Sequence, residues 1–223
     1  MNALNFSTRW QQCRLPLIAI LRGVTPAEAE GVARTLLECG FTWLEVPLNS
    51  PQPLESIAIM AKTVGDNGFV GAGTVLSERQ VHQVAEAGGQ LIISPNPDLS
   101  VIRATCALGL VSLPGVATPG EAFAALNAGA SALKLFPAEM ITPAITKAML
   151  VVLPEKTLCL PVGGISADAA QMHRYLQSGA HGFGLGGGLY QPGISLTALR
   201  ERALAYQGAW HQAHEALLSR KTV

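Results

Sequence analysis

Short apolar runs rich in β-branched residues recur along the chain, each followed by a stretch with helical spacing. The first four are PLIAILR (16–22), TWLEVPLN (42–49), GFVGAGTV (68–75) and GQLIISPN (89–96). GLVSLPG (109–115), SALKLFPA (131–138), TLCLPVGG (157–164) and AHGFGLGG (180–187) complete the set. Continuous apolar runs of this length read as strands covered on both faces. The intervening segments, such as TPAEAEGVARTLLECG and SERQVHQVAEAGG, consist largely of good helix formers.

Boundary residues divide the chain in the same way. Thr25, Ser50, Ser77, Thr118 and Ser166 are expected N-caps, because a short hydroxyl can accept from the free amides of a first helical turn. Gly40, Gly88, Gly109, Gly129 and Gly179 follow the last turns, where a left-handed residue ends a helix at least cost. Strands alternating with helices imply parallel pairing with helical crossovers. Eight such units in 223 residues predict one (β/α)₈ barrel domain spanning 1–223. A helix at about 5–14 precedes the first strand, and the tail from about 194 onward is helical. A doubly wound sheet is the rival architecture, but its GxGxxG turn after the first strand is absent.

Composition narrows the function classes. Hydrophobic residues make up 49% and charged residues 13%, enough apolar material for a large core. Lys plus Arg equals Asp plus Glu at 15 each, so no basic field attracts nucleic acid or an anionic membrane. An anionic ligand must be held by local groups. Cys13, Cys39, Cys106 and Cys159 are widely separated in apolar contexts and read as buried thiols of a cytoplasmic protein. No apolar run approaches the ~18 residues of a membrane span, and no signal peptide is recognisable.

Polar residues at the strand ends carry the candidate chemistry. Active sites of such barrels lie at the C-terminal ends of the strands. Arg22 ends the first apolar run, Glu45 interrupts the second, Thr74 ends the third, Ser94-Pro95-Asn96 follow the fourth, and Lys134 interrupts the sixth. One snorkelling lysine or strand-end arginine is unremarkable. Three charges and a threonine on separate strands would converge on one mouth. A desolvated lysine loses its proton more readily, and its neutral amine can form a Schiff base with a carbonyl. A nearby glutamate can shuttle protons, and a guanidinium suits a carboxylate. The alternative use of Lys134 and Glu45 is a buried ion pair, which stabilises little against an apolar substitute. Two glycine-rich loops, PVGGIS (161–166) and GLGGGLY (184–190), follow the seventh and eighth runs, a frequent phosphate position in these barrels. Of the five histidines, only His211 and His214 are close in sequence, and a solvated helix face accounts for them without a metal.

With these residues assembled, the chain resembles the 2-keto-3-deoxy-6-phosphogluconate and 6-phosphogalactonate aldolase family, more closely its phosphogalactonate branch. The resemblance runs from LPLIAILRG (15–23) to GLYQPG (188–193), through LEVPLNSP (44–51), GAGTVL (71–76), LIISPN (91–96), LKLFPAE (133–139) and PVGGIS. It implies a metal-independent class I aldolase with no cofactor, cleaving a phosphorylated keto-deoxy acid to pyruvate and D-glyceraldehyde 3-phosphate. Lys134 would be the Schiff-base lysine and Glu45 the general acid/base. Arg22 and Thr74 would meet the pyruvate carboxylate, with Pro95 and Phe136 lining the pocket. Gly163, Gly164, Gly186 and Gly187 would hold the 6-phosphate. A homotrimer is also implied. Asn49 stands where the gluconate branch has arginine, and Gly187 where relatives commonly have serine. Two other readings share the phosphate loops: a sugar-phosphate isomerase or epimerase with Glu45 as base, and a phosphate-ligand sensor.

Overall fold

A computed structural model describes residues 3–219. The eight strands are β1 (Leu17–Ile20), β2 (Trp43–Pro47), β3 (Phe69–Gly73), β4 (Leu91–Ser94), β5 (Val111–Val116), β6 (Leu133–Leu135), β7 (Cys159–Pro161) and β8 (Phe183–Leu185). All pair in parallel in the order β7-β6-β5-β4-β3-β2-β1-β8. An isolated parallel bridge, Val162 to Gly184, closes the ring between β7 and β8. The expected (β/α)₈ barrel is the fold. Its last three strands are only three residues each, shorter than their apolar runs because the chain turns off into loops at the mouth.

Helix α1 (Ala3–Gln11) precedes the barrel. It stops at Gln11, short of the expected residue 14, where the Cys13 amide turns to Trp10 O in a tighter i→i−3 bond. Helices α2 (Pro26–Glu38), α3 (Pro53–Val64), α4 (Glu78–Glu86) and α5 (Leu99–Ala107) follow the first four strands. After them come α6 (Pro119–Asn127), α7 (Pro143–Val152), α8 (Ala169–Gln177) and the long α9 (Leu196–Ser219).

Thr25 and Thr118 form capping boxes with Glu28 and Glu121, and Ser77 accepts from the Gln80 amide. Two expected caps are displaced. Gln52 caps α3 in a left-handed conformation, and Ser50 instead accepts the Gly23 amide at 2.9 Å. Asp168 caps α8, accepting from Ala170, while Ser166 bonds Gln171. In both cases the loop spends two more residues before the helix starts. The five helix-ending glycines all have positive φ, between +69° and +104°.

Side-chain alternation divides the core in two. Ile18, Trp43, Leu91, Ile93, Val111, Leu113 and Leu160 fill the barrel interior, plugged at the N-terminal end by Phe6 and Trp10 of α1. The intervening strand residues, such as Leu17, Ala19, Leu44 and Val46, pack outward against the helices. The thiols are not uniformly buried as expected. Cys39 and Cys159 are, but Cys13 is half-buried and Cys106 is exposed. Cys106 lies on the outer side of α5, with its thiol donating to Gly129 O at 3.0 Å. Among the described residues, no helix is long and apolar enough to cross a membrane.

Candidate active site

Strand alternation aims Glu45 inward two residues above Trp43, and Lys134 inward from β6. Glu45 pairs in register with Ile20 and Gly71, and Lys134 with Gly115 and Leu160. Both are buried, at 2% and 8% exposure. They open onto one cleft of about 700 Å³ at the C-terminal mouth of the barrel. Arg22, Thr74, Pro95, Phe136, Gly163, Gly164, Gly186 and Gly187 line the same cleft. All ten residues singled out in the sequence therefore face one another across a common space.

The two buried charges are tuned toward neutrality. Burial lowers the Lys134 ammonium below the ordinary lysine range; Glu45 opposes this, and Arg22 reinforces it. Burial raises the Glu45 carboxyl above the usual carboxylate range, with Lys134 and then Arg22 drawing it partly back. No ion pair within 4.0 Å joins Lys134 to Glu45, and the pairs found among the described residues, Arg34–Glu30 and Arg200–Glu38, lie on outer helices. The structure thus lacks the direct ion pair that would give these residues a purely architectural role. Glu45 Oε2 is buried without a hydrogen-bond partner. Lys134 Nζ lies 4.5 Å from the Phe136 ring centroid, a contact that compensates a cation only in part. An unpaired carboxylate and an amine of lowered basicity facing one cleft suit proton transfer and nucleophilic attack.

The surrounding backbone is shaped for this pair. A Cβ at Gly73 would fall on Glu45 Oε1, so the carboxylate occupies a slot that glycine leaves open. The next residue, Thr74, has φ +56°, a strained conformation for a β-branched side chain and one that clusters at functional sites. Arg22 is oriented by its hydrogen bond to Asn49 Oδ1 at 2.5 Å, and Gly23 and Ser50 join the same two loops. Pro95 and Phe136 supply apolar walls beside the amine.

The far end of the cleft is formed by the two glycine loops. Gly163 and Gly164 have φ +107° and +61°, which require glycine or carry strain. Around Gly186 and Gly187, an added Cβ would meet nothing within 4 Å. Glycine there opens space rather than relieving a clash. Glu139, Tyr190 and Tyr206 also line the cleft and were missed in the sequence. Glu139 lay within the quoted LKLFPAE run, but its direction depends on the turn after β6. The slot at Gly73 was not legible either, because it depends on the neighbouring strand.

Other groups sit elsewhere. His211 and His214 are exposed on α9, and the His214 ring stacks on Trp210 at 5.5 Å. Among the described residues, no three His, Cys, Asp or Glu side chains cluster as a metal site would require.

Comparison with known proteins adds an independent line. Residues 11–195 match the family model described as KDPG and KHG aldolase. A probable 2-dehydro-3-deoxy-6-phosphogalactonate aldolase of Rhizobium meliloti (strain 1021) is 47% identical over 87% of this chain and 91% of its own length. The 2-dehydro-3-deoxy-6-phosphogalactonate aldolase of Escherichia coli (strain K12) is 42% identical over 92% of this chain and 98% of its own. A solved native KDPGal structure superposes with a TM-score of 0.87 at 42% identity, covering 91% of this chain and 97% of that one. Barrel, buried lysine and carboxylate, and matched sequence along most of the chain agree: it belongs to the KDPG and KHG aldolase family.

Proposed function

We propose that the protein is a class I aldolase that cleaves 2-dehydro-3-deoxy-6-phospho-D-galactonate to pyruvate and D-glyceraldehyde 3-phosphate, in D-galactonate degradation. The observation that carries this reading is the pair Lys134 and Glu45, buried, unpaired with each other, and both shifted toward the neutral form at one cleft. The two relatives reported above that span most of the chain carry the galactonate name, which favours that epimer over the gluconate one.

The reaction follows from the geometry. The neutral Lys134 amine attacks the C2 carbonyl of the keto acid, and Glu45 relays the protons by which the carbinolamine loses water to give an iminium. The cationic nitrogen then draws electrons from the C3–C4 bond as a base takes the C4 hydroxyl proton. The aldehyde departs and an enamine remains on Lys134. Protonation at C3 and hydrolysis release pyruvate and restore the amine. Arg22, set by Asn49, pairs with the carboxylate of the substrate, and Thr74 borders the same end. The loops at Gly163–Gly164 and Gly186–Gly187 receive the 6-phosphate.

The same reading takes the working unit to be a homotrimer in the cytoplasm and the whole of residues 1–223 to be one domain. Met140, Ile145, Val151 and Val152, exposed on α7 and the turn before it, offer an apolar face for association. Four free thiols fit a reducing compartment.

Borohydride reduction in the presence of pyruvate is expected to leave a covalent adduct on Lys134, read by peptide mass. A lactate dehydrogenase-coupled assay is expected to show pyruvate release from the phosphorylated acid. Isomerised product without pyruvate, or no adduct on Lys134, would overturn the aldolase reading.

A further inference from the structure

The cleft carries its positive charge at one end only. Among the described residues, Lys134 and Arg22 are the only lysine, arginine or histidine side chains in its lining, and both lie at the carboxylate end. The far end has one carboxylate among the described residues, that of Glu139, exposed beside the glycine loop. A Cβ at Gly163 would lie 2.4 Å from Glu139 Oε2, and one at Gly164 2.9 Å from its Cγ. Glu139 has no ion-pair partner among the described residues.

This placement is built into the backbone. The Ala138 amide donates to Val162 O at 2.8 Å, and the Met140 and Ile141 amides both donate to Pro137 O, at 3.0 and 3.1 Å. The buried Tyr175 hydroxyl is shared between Ala138 O at 2.9 Å and Ile141 O at 3.2 Å. The facing loop is braced as well, with Gln171 Nε2 donating to Gly164 O at 2.8 Å. Across the cleft, Gly186 and Gly187 have room for a hydroxyl side chain and supply none. A phosphate dianion seated here meets the negative charge of the exposed Glu139 side chain, whereas a terminal hydroxyl meets an acceptor.

We propose that Glu139 is a specificity-determining residue: its carboxylate weakens the hold on a phosphate-ended keto-deoxy acid and lets the same site cleave the unphosphorylated acid, whose terminal hydroxyl donates to it. The inference rests on the aldolase reading above. The bond broken is the same C3–C4 bond, the proton leaves the same C4 hydroxyl, and the products are pyruvate and glyceraldehyde in place of its phosphate. No co-reactant is added.

The test compares kcat and KM for pyruvate release from the phosphorylated and unphosphorylated acids in wild type, Glu139→Gln and Glu155→Gln. Glu155 is exposed in the loop before β7, at the opposite end of the barrel, and controls for net charge. Wild type is expected to cleave both acids, with a kcat/KM preference for the phosphorylated one below roughly a thousandfold. Glu139→Gln is expected to raise that preference about threefold or more, mainly by lowering KM for the phosphorylated acid. Glu155→Gln should leave the preference where it is. A larger wild-type preference, a smaller change in Glu139→Gln, or an equal change in Glu155→Gln overturns the inference while pyruvate release keeps the aldolase reading intact. No pyruvate from either acid overturns that reading itself.

Discussion

Trp43 and Glu45 lie two residues apart on β2, point into the same barrel and are buried alike, at 1% and 2% exposure. Each buries one polar atom without a hydrogen-bond partner, Trp43 Nε1 and Glu45 Oε2, but their surroundings differ. Below, Trp43 stacks on Phe69 at 4.3 Å and meets Phe6 and Trp10 at 5.3 and 5.2 Å, so the N-terminal end is an aromatic plug. Above, the Glu45 carboxylate has a glycine slot and faces the Lys134 amine beyond ion-pair range. The lower end spends its burial on dispersion and water exclusion, which stabilise the fold. The upper end buries groups that destabilise it and that are reactive for the same reason. One strand therefore carries both halves of a stability–activity division.

The strongest test of that division removes the amine. Lys134→Met should lower pyruvate formation by about 10⁴-fold or more, because no other amine of the described residues lines the cleft. Its thermal stability should not fall at neutral pH. Lys134 has a folded pKa below its unfolded value, so its burial costs stability once the pH drops below the ordinary lysine value. The margin of Lys134→Met over wild type in Tm should therefore shrink as the pH is raised toward that value. Glu45 has the opposite shift, so its contribution falls as pH rises through the window above the ordinary carboxylate value. Both buried groups thus work against the fold near neutrality.

Cutting the plug should give the reverse result. Trp43→Ala should cost about 3–5 kcal/mol in denaturant unfolding, while the folded fraction keeps kcat within a few-fold of wild type. A large loss of kcat in the folded fraction would show the two ends to be coupled.

Finer changes sharpen the upper end alone. Glu45→Gln should slow turnover about 10²–10⁴-fold, the range of a lost general acid/base, and should slow adduct formation with pyruvate as well. Gly73→Ala should displace the Glu45 carboxylate and slow turnover about 10–10²-fold with KM little changed, since small misplacements of a reacting group cost this much. The smallest effect is expected for Thr74→Gly. It relieves a left-handed threonine at an offsetting entropic cost, so unfolding free energy should move by less than about 1 kcal/mol, with a measurable rise in KM.

The contrast also explains what could be read from the sequence. All eight strands were legible because each is covered on both faces and so is written as an apolar run. Within those runs Glu45 and Lys134 stood out as violations of the pattern. Helix ends marked by Thr25, Thr118 and the five positive-φ glycines were equally visible, since capping is local chemistry. Ser50 misled because it accepts from the Gly23 amide of another loop, and Ser166 because its hydroxyl donates to the Gln171 side chain instead of accepting from a first-turn amide. Gly73 and Glu139 were not legible in their roles, because each acts on a group brought near by another strand or turn. Cys106 was misplaced for a similar reason: apolar neighbours in sequence do not say which side of α5 faces out.

The ring of strands has unequal joints. Every neighbouring pair from β7 round to β8 shares a ladder, but the last joint rests on the Val162–Gly184 bridge, where a Cβ on Gly184 would approach Val162 to 2.7 Å. The two loops that flank this joint are the ones that frame the far end of the cleft. A substrate tail lying across them acts as a rivet on the weakest part of the hoop. Saturating ligand should accordingly raise the melting temperature and slow amide exchange in β7 and β8 ahead of the other strands.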